Sequence, residues 1–92
     1  MSQFYLYTTL GCHLCEQAES LIKTQEAALG FSWQAKEIAD QDHLVELYGV
    51  KIPVLHCCTT QLELSWPFDE DELLEWLQIQ LSHSHTHIAT DH

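Results

Sequence analysis

Cys12 and Cys15 stand in the segment Gly11-Cys12-His13-Leu14-Cys15, directly after a β-like run from Phe4 to Thr8 and directly before a helix-like run from Glu16 to Leu29. Two cysteines with two residues between them at a helix start lie one turn apart, close enough to close a small disulfide ring. The first sulfur then meets solvent and the unpaired N–H groups of the helix N-terminus, whose partial positive charge favours a thiolate over a thiol. Spacing and context point to a redox dithiol, with Cys12 as the attacking sulfur and Cys15, one turn in, resolving the mixed disulfide. A thiol pKa about two units below the free value raises the thiolate fraction at pH 7 roughly 25-fold. Intrinsic nucleophilicity falls about eightfold over the same interval, so attack gains only about threefold and the larger effect is a thiolate that leaves more readily.

Other candidates are weaker. His13 could tune the dithiol, although a cationic imidazole at a helix N-terminus meets the positive end of the dipole. Cys57 and Cys58 are sequence neighbours on an expected strand, so their side chains point to opposite faces and are poorly arranged to hold one metal ion together. They read as small apolar residues of a central strand. His83, His85 and His87 alternate in 82–92, and an extended chain would put their rings on one face for a soft transition metal. A terminal segment so poor in apolar residues is expected to be disordered, and no metal ligand is assigned.

The elements that must position the dithiol follow from periodicity. Leu14, Ala18, Leu21, Ile22 and Leu29 recur at helical spacing opposite Glu16, Glu19, Lys23 and Glu26, with Gly30 as the stop. A strand is expected over Phe31 to Ile38. A short helix follows, capped by Asp40 or Asp42, with Leu44, Leu47 and Tyr48 on one face and Gly49 at its end. Strands are expected over Val54 to Cys58 and around Leu62 to Ser65, joined by the polar turn Thr59-Thr60-Gln61. Asp69 and Glu72 form a capping box that opens a last helix with Leu73, Leu74, Leu77 and Leu81 inside. The order β-α-β-α-β-β-α implies an α/β fold with a four-stranded mixed sheet flanked by helices. Its first two strands are parallel across a right-handed crossover and its last two form an antiparallel hairpin. Chemistry in such folds sits at the carboxyl end of the strands, where the loop leaving the first strand carries Cys12.

Ninety-two residues make one domain with one core, here 1–81, followed by the histidine-rich tail 82–92. The start of the chain has no basic region, and no apolar run is long enough to span a bilayer, so a cytoplasmic setting is expected in which cysteines are normally reduced. Fourteen Asp and Glu residues face three lysines and no arginine, a net charge of −11. That balance repels a phosphate backbone and lacks a bidentate anion clamp, which excludes nucleic-acid and anionic-membrane binding.

The cysteine pair, the element order and Val50-Lys51-Ile52-Pro53-Val54-Leu55 together resemble the thioredoxin superfamily, and in size its glutaredoxin-like branch. Gly11-Cys12-His13-Leu14-Cys15, Tyr48-Gly49-Val50, Ile52-Pro53-Val54-Leu55 and Pro67-Phe68-Asp69 resemble a group of small bacterial glutaredoxin-like proteins. The resemblance implies a thioredoxin-like fold to about Leu81 and a cis-proline at Pro53 opposite the dithiol. It also implies a platform at Ile52-Pro53, where the backbone before the proline pairs with an extended substrate. His13 and Leu14 stand between the cysteines where glutaredoxins hold a proline and thioredoxins hold Gly-Pro. Glutaredoxins hold glutathione with a basic residue before the first cysteine and a Gly-Gly turn before the last helix. Those places carry Thr8 or Thr9 and Ser65-Trp66-Pro67-Phe68 here. No cofactor is expected, and glutathione is kept only as a candidate thiol. The leading reading is a monomeric thiol–disulfide oxidoreductase acting on protein disulfides or small thiols. Its rivals are an interaction module with an incidental or regulatory dithiol, and a metal-handling protein.

Overall fold

In the computed structural model, which describes the backbone of residues 3–89 and side chains as far as Ser82, the order is β1 (Phe4–Thr8), α1 (His13–Leu29), β2 (Trp33–Glu37), α2 (Asp42–Tyr48), β3 (Val54–Cys57), β4 (Glu63–Ser65) and α3 (Glu70–Ala89). The strands lie in the order β2-β1-β3-β4. β1 runs parallel to β2 with Phe4 beside Trp33, and antiparallel to β3 with Tyr7 beside Val54; β3 and β4 form the hairpin. The element order and both strand directions agree with the pattern read from the sequence.

Alternation along β1 and β3 divides the sheet into two faces. Phe4, Leu6, Leu55 and Cys57 turn to one face and meet Ala18 and Ile22 of α1, Leu73 and Leu77 of α3, and Phe31 and Phe68 from the loops. Phe4 packs edge-on against Phe31, with ring centroids 5.2 Å apart. The other face carries Tyr5, Tyr7 and His56, only partly covered, and Tyr48 of α2 stacks on Tyr7 at 4.3 Å. Two helices and one sheet face therefore supply the core, and α2 contributes no buried residue.

Helix ends follow local chemistry at one end of the fold and depart from it at the other. At α3 the capping box forms as expected: the Glu72 N–H donates to Asp69 Oδ1 (2.8 Å), and the Asp69 N–H donates to Glu72 Oε1 (3.3 Å). At α2 the cap position is Gln41 and no side chain caps it, so the expectation of Asp40 or Asp42 is corrected. Gly49 closes α2 with right-handed backbone. A Cβ there would stand 2.5 Å from the Val45 carbonyl oxygen, so the glycine supplies close approach. Other details shift as well. Leu14 and Leu47 are exposed, and the buried stripe of α1 is Cys15, Ala18, Ile22 and Gln25. Leu74 and Leu81 are only half-buried, whereas Gln80 is buried and accepts a hydrogen bond from the Thr60 hydroxyl at 2.6 Å. Cys58 falls just past the end of β3.

The backbone of α3 continues to Ala89. The side chains of His83, His85 and His87, and residues 90–92, lie outside the described residues. Among the described residues no helix is long and apolar enough to cross a membrane.

Candidate active site

β1 ends at Thr8, and the chain must turn sharply to start α1. Gly11 makes that turn at φ 77°, a left-handed conformation in which a Cβ is strained. Cys12 follows as the N-cap, extended at φ −92° and ψ 106°, with its sulfur accepting the Cys15 N–H at 3.1 Å. A cysteine sulfur thus occupies the place usually held by a serine or aspartate oxygen, where it satisfies one of the unpaired donors of the first turn. That donor and the helix dipole both favour negative charge on Cys12. The Cys12 and Cys15 sulfurs are at disulfide distance, with Cα atoms 5.2 Å apart. Cys12 is half-exposed and Cys15 only 2% exposed, so solvent or a partner reaches the first sulfur.

The loop between β1 and Cys12 is pinned by a side chain from β2. Glu37, at the end of β2, accepts the Leu10 N–H on Oε1 (3.1 Å) and the Ala39 N–H on Oε2 (3.0 Å). The Ala39 N–H, followed by the Thr9 hydroxyl, holds the Glu37 carboxyl below the usual carboxylate range. A signal existed in principle: parallel pairing puts Glu37 beside Thr8, at the strand end from which the loop departs. Glu37, Glu16 and Glu19 line a cleft of about 330 Å³ whose wall includes both Cys12 and Cys15.

Ile52 and Pro53 come to the same edge of the sheet. Tyr7 pairs with Val54, and the next position along the register puts Pro53 beside Thr8. Pro53 is buried and its carbonyl accepts the Trp66 N–H at 3.1 Å. The Ile52–Pro53 and Trp66–Pro67 peptide bonds are cis. Ile52 is half-buried and its N–H donates to the Tyr48 carbonyl at 3.0 Å. Of the backbone groups expected to pair with an extended substrate, the Ile52 N–H is therefore already engaged within the chain. Its carbonyl takes no hydrogen bond among the described residues.

Behind this loop, the Tyr48 hydroxyl donates to Glu63 Oε2 at 2.5 Å, and His56 Nδ1 lies 3.0 Å from the same oxygen. Burial and then the Glu63 carboxylate push the Tyr48 phenol well above its ordinary pKa, so it remains a donor. Tyr48 anchors the loop twice, through its side chain and through the carbonyl that holds Ile52 and Lys51. His13, the first residue of α1, is exposed. Among the described residues no group of three or more His, Cys, Asp or Glu side chains is placed to hold a metal ion.

A family model described as a glutaredoxin-like domain (DUF836) matches residues 3–78. The X-ray structure of Northeast Structural Genomics target protein XcR50 from X. campestris is 36% identical over 83% of this chain and 96% of its own, with a TM-score of 0.72. The solution structure of the same target is 37% identical over 86% and 95%, with a TM-score of 0.70. Protein Ne2328 from Nitrosomonas europaea, solved by NMR, is 26% identical over 82% of this chain and 89% of its own, also at a TM-score of 0.70. No curated protein matches the chain.

Proposed function

Because the chain belongs to the glutaredoxin-like domain family and has a thioredoxin-like fold, we propose that it is a thiol–disulfide oxidoreductase whose Cys12–Cys15 pair exchanges electrons with protein disulfides or small thiols. The observation that carries the reading is the unequal setting of the pair: Cys12 caps α1 in reach of solvent, and Cys15 is buried one turn behind it at disulfide distance. In the reducing direction the Cys12 thiolate attacks one sulfur of a substrate disulfide, forming a mixed disulfide and releasing the other sulfur as a thiolate. Cys15, losing its proton to solvent, attacks Cys12; the Cys12–Cys15 disulfide forms and the second substrate thiolate leaves. Two electrons pass from the pair to the substrate, and two equivalents of a low-molecular-weight thiol, oxidised to their disulfide, restore the dithiol. The opposite direction oxidises a substrate dithiol by the same steps reversed.

Ile52-Pro53 is the proposed platform, presenting the Ile52 carbonyl to a substrate N–H. His13 is proposed to tune the pair. The reading takes a reducing compartment, the cytoplasm, as its setting and a monomer as the working unit. The test uses reduced Cys15→Ser and Cys12→Ser variants with a peptide disulfide, followed by mass spectrometry. Cys15→Ser should stop at one mixed disulfide on Cys12, and Cys12→Ser should form none. Equal trapping on Cys57 or Cys58 overturns the assignment.

A further inference from the structure

The cleft beside the dithiol has a charge pattern that the exchange chemistry does not require. Its wall holds Cys12 and Cys15 together with three carboxylates, Glu16 and Glu19 from α1 and Glu37 from β2, and its lining includes no lysine, arginine or histidine. Glu37 stays anionic because backbone N–H groups hold its carboxylate. The chain's cations are scarce and one is committed elsewhere: Lys36 sits 4.7 Å over the Tyr5 ring, on the sheet face turned away from α1 and α3. A concave site of one sign concentrates ligands of the opposite sign and repels its own.

We propose that this cleft selects cationic disulfides: substrates with a lysine, arginine or amine within a few residues of the half-cystine, in preference to anionic ones. The inference rests on the redox reading of the same dithiol and names its substrate class. A peptide ammonium group near the cystine meets Glu16, Glu19 and Glu37 as the substrate sulfur reaches Cys12. A carboxylate in the same place meets three like charges. A thiol with net negative charge, such as glutathione, is disfavoured on the same ground, independently of any missing binding motif.

The experiment uses full-length protein, reduced with a dithiol and desalted, and three cystine-linked peptides that carry lysine, glutamine or glutamate two positions from the cysteine. This spacing keeps the leaving thiols alike. Rates of mixed-disulfide formation on Cys15→Ser are read by acid quench and mass spectrometry. At low ionic strength lysine should exceed glutamate by about tenfold or more, with glutamine between, and the order should flatten near 0.5 M salt, where the Debye length is only about 4 Å. The ratio cancels any change in the thiolate fraction of Cys12, so variants can be compared. Glu19→Gln and Glu16→Gln should each reduce the ratio about two- to threefold, and Glu70→Gln, on the exposed start of α3, should leave it unchanged. Equal rates for the three peptides overturn the inference and leave the redox reading standing. A ratio that Glu70→Gln lowers as much as Glu19→Gln assigns the preference to net charge and also overturns it. Absence of reaction with every peptide removes the redox reading, and this inference with it.

Discussion

Cys12 and Cys15 begin a helix three positions apart, whereas Cys57 and Cys58 are adjacent where a strand ends. The helix start turns the first pair toward each other and gives Cys12 an N–H partner and a solvent path. The strand end turns the second pair apart: Cys57 is 1% exposed among Phe4, Leu6 and Leu55, and Cys58 faces the other side, half-buried. Burial first, and then the neighbouring Cys57, push the Cys58 thiol above its ordinary pKa, with Lys36 only partly opposing them. Four sulfurs of the same intrinsic chemistry are thus divided by backbone alone into a pair at disulfide distance and a pair turned apart.

The sharpest way to break this division is to delete sulfurs one at a time. Cys12→Ser should slow exchange with a peptide disulfide by about a thousandfold or more, because the thiolate is the nucleophile and a serine hydroxyl cannot replace it. Cys58→Ser should stay within about twofold of the parent rate. Comparable losses at both positions would show that the helix start confers no special role.

The second effect concerns stability and reverses the ranking. Cys57→Ser puts a hydroxyl among apolar side chains and should cost about 1–3 kcal/mol in urea unfolding. Cys12→Ser should cost far less, since a serine oxygen caps a helix well and can accept the Cys15 N–H. The third is graded reactivity in the reduced protein. Alkylation by iodoacetamide at pH 7 should favour Cys12 over Cys58 by about tenfold, and the gap should narrow as pH rises and the Cys58 thiol ionises.

Much of this was legible in the residues, for reasons the structure makes concrete. The dithiol, β1 and α1 were readable because Phe4 and Leu6 alternate, Ala18 and Ile22 repeat at helical spacing, and Cys12 falls at the join. The capping box at Asp69 and Glu72 was equally plain, being a contact between residues three apart. The short helix α2 departs in detail from the expected pattern because it has no buried residue, so the spacing of Leu44 and Leu47 is one that no core enforces. The bond from the Ile52 N–H to the Tyr48 carbonyl is not legible in the residues, because it depends on how the α2 end folds back. Glu37 is hard to see in the residues because, apart from the nearby Ala39 N–H, the partners by which it holds the loop, Thr9 and Leu10, lie across a parallel strand pair, 27 or more positions away in the chain.

Glu37 also supplies the smallest and most selective test of the comparison, since it holds the loop into Cys12 by a side chain, whereas the Cys57 and Cys58 amides are held by the backbone carbonyls of Leu62 and Gln3. Its carboxyl titrates below the ordinary carboxylate range, chiefly through the Ala39 N–H. The unfolded chain therefore binds more protons than the folded one as pH falls through that range. The contribution to stability is complete above the ordinary carboxylate pKa and disappears as pH drops through the depressed folded value. Glu37→Gln removes this contribution, so urea midpoints measured between pH 7 and pH 3 should fall less steeply for the variant than for the parent. The Leu10 and Ala39 amides should exchange faster in the variant at pH 7, while those of Cys57 and Cys58 keep their protection. Parallel pH profiles, or a loss of protection spread evenly over both regions, would mean that the loop before Cys12 holds its shape without this carboxylate and that the helix start alone fixes the Cys12 sulfur.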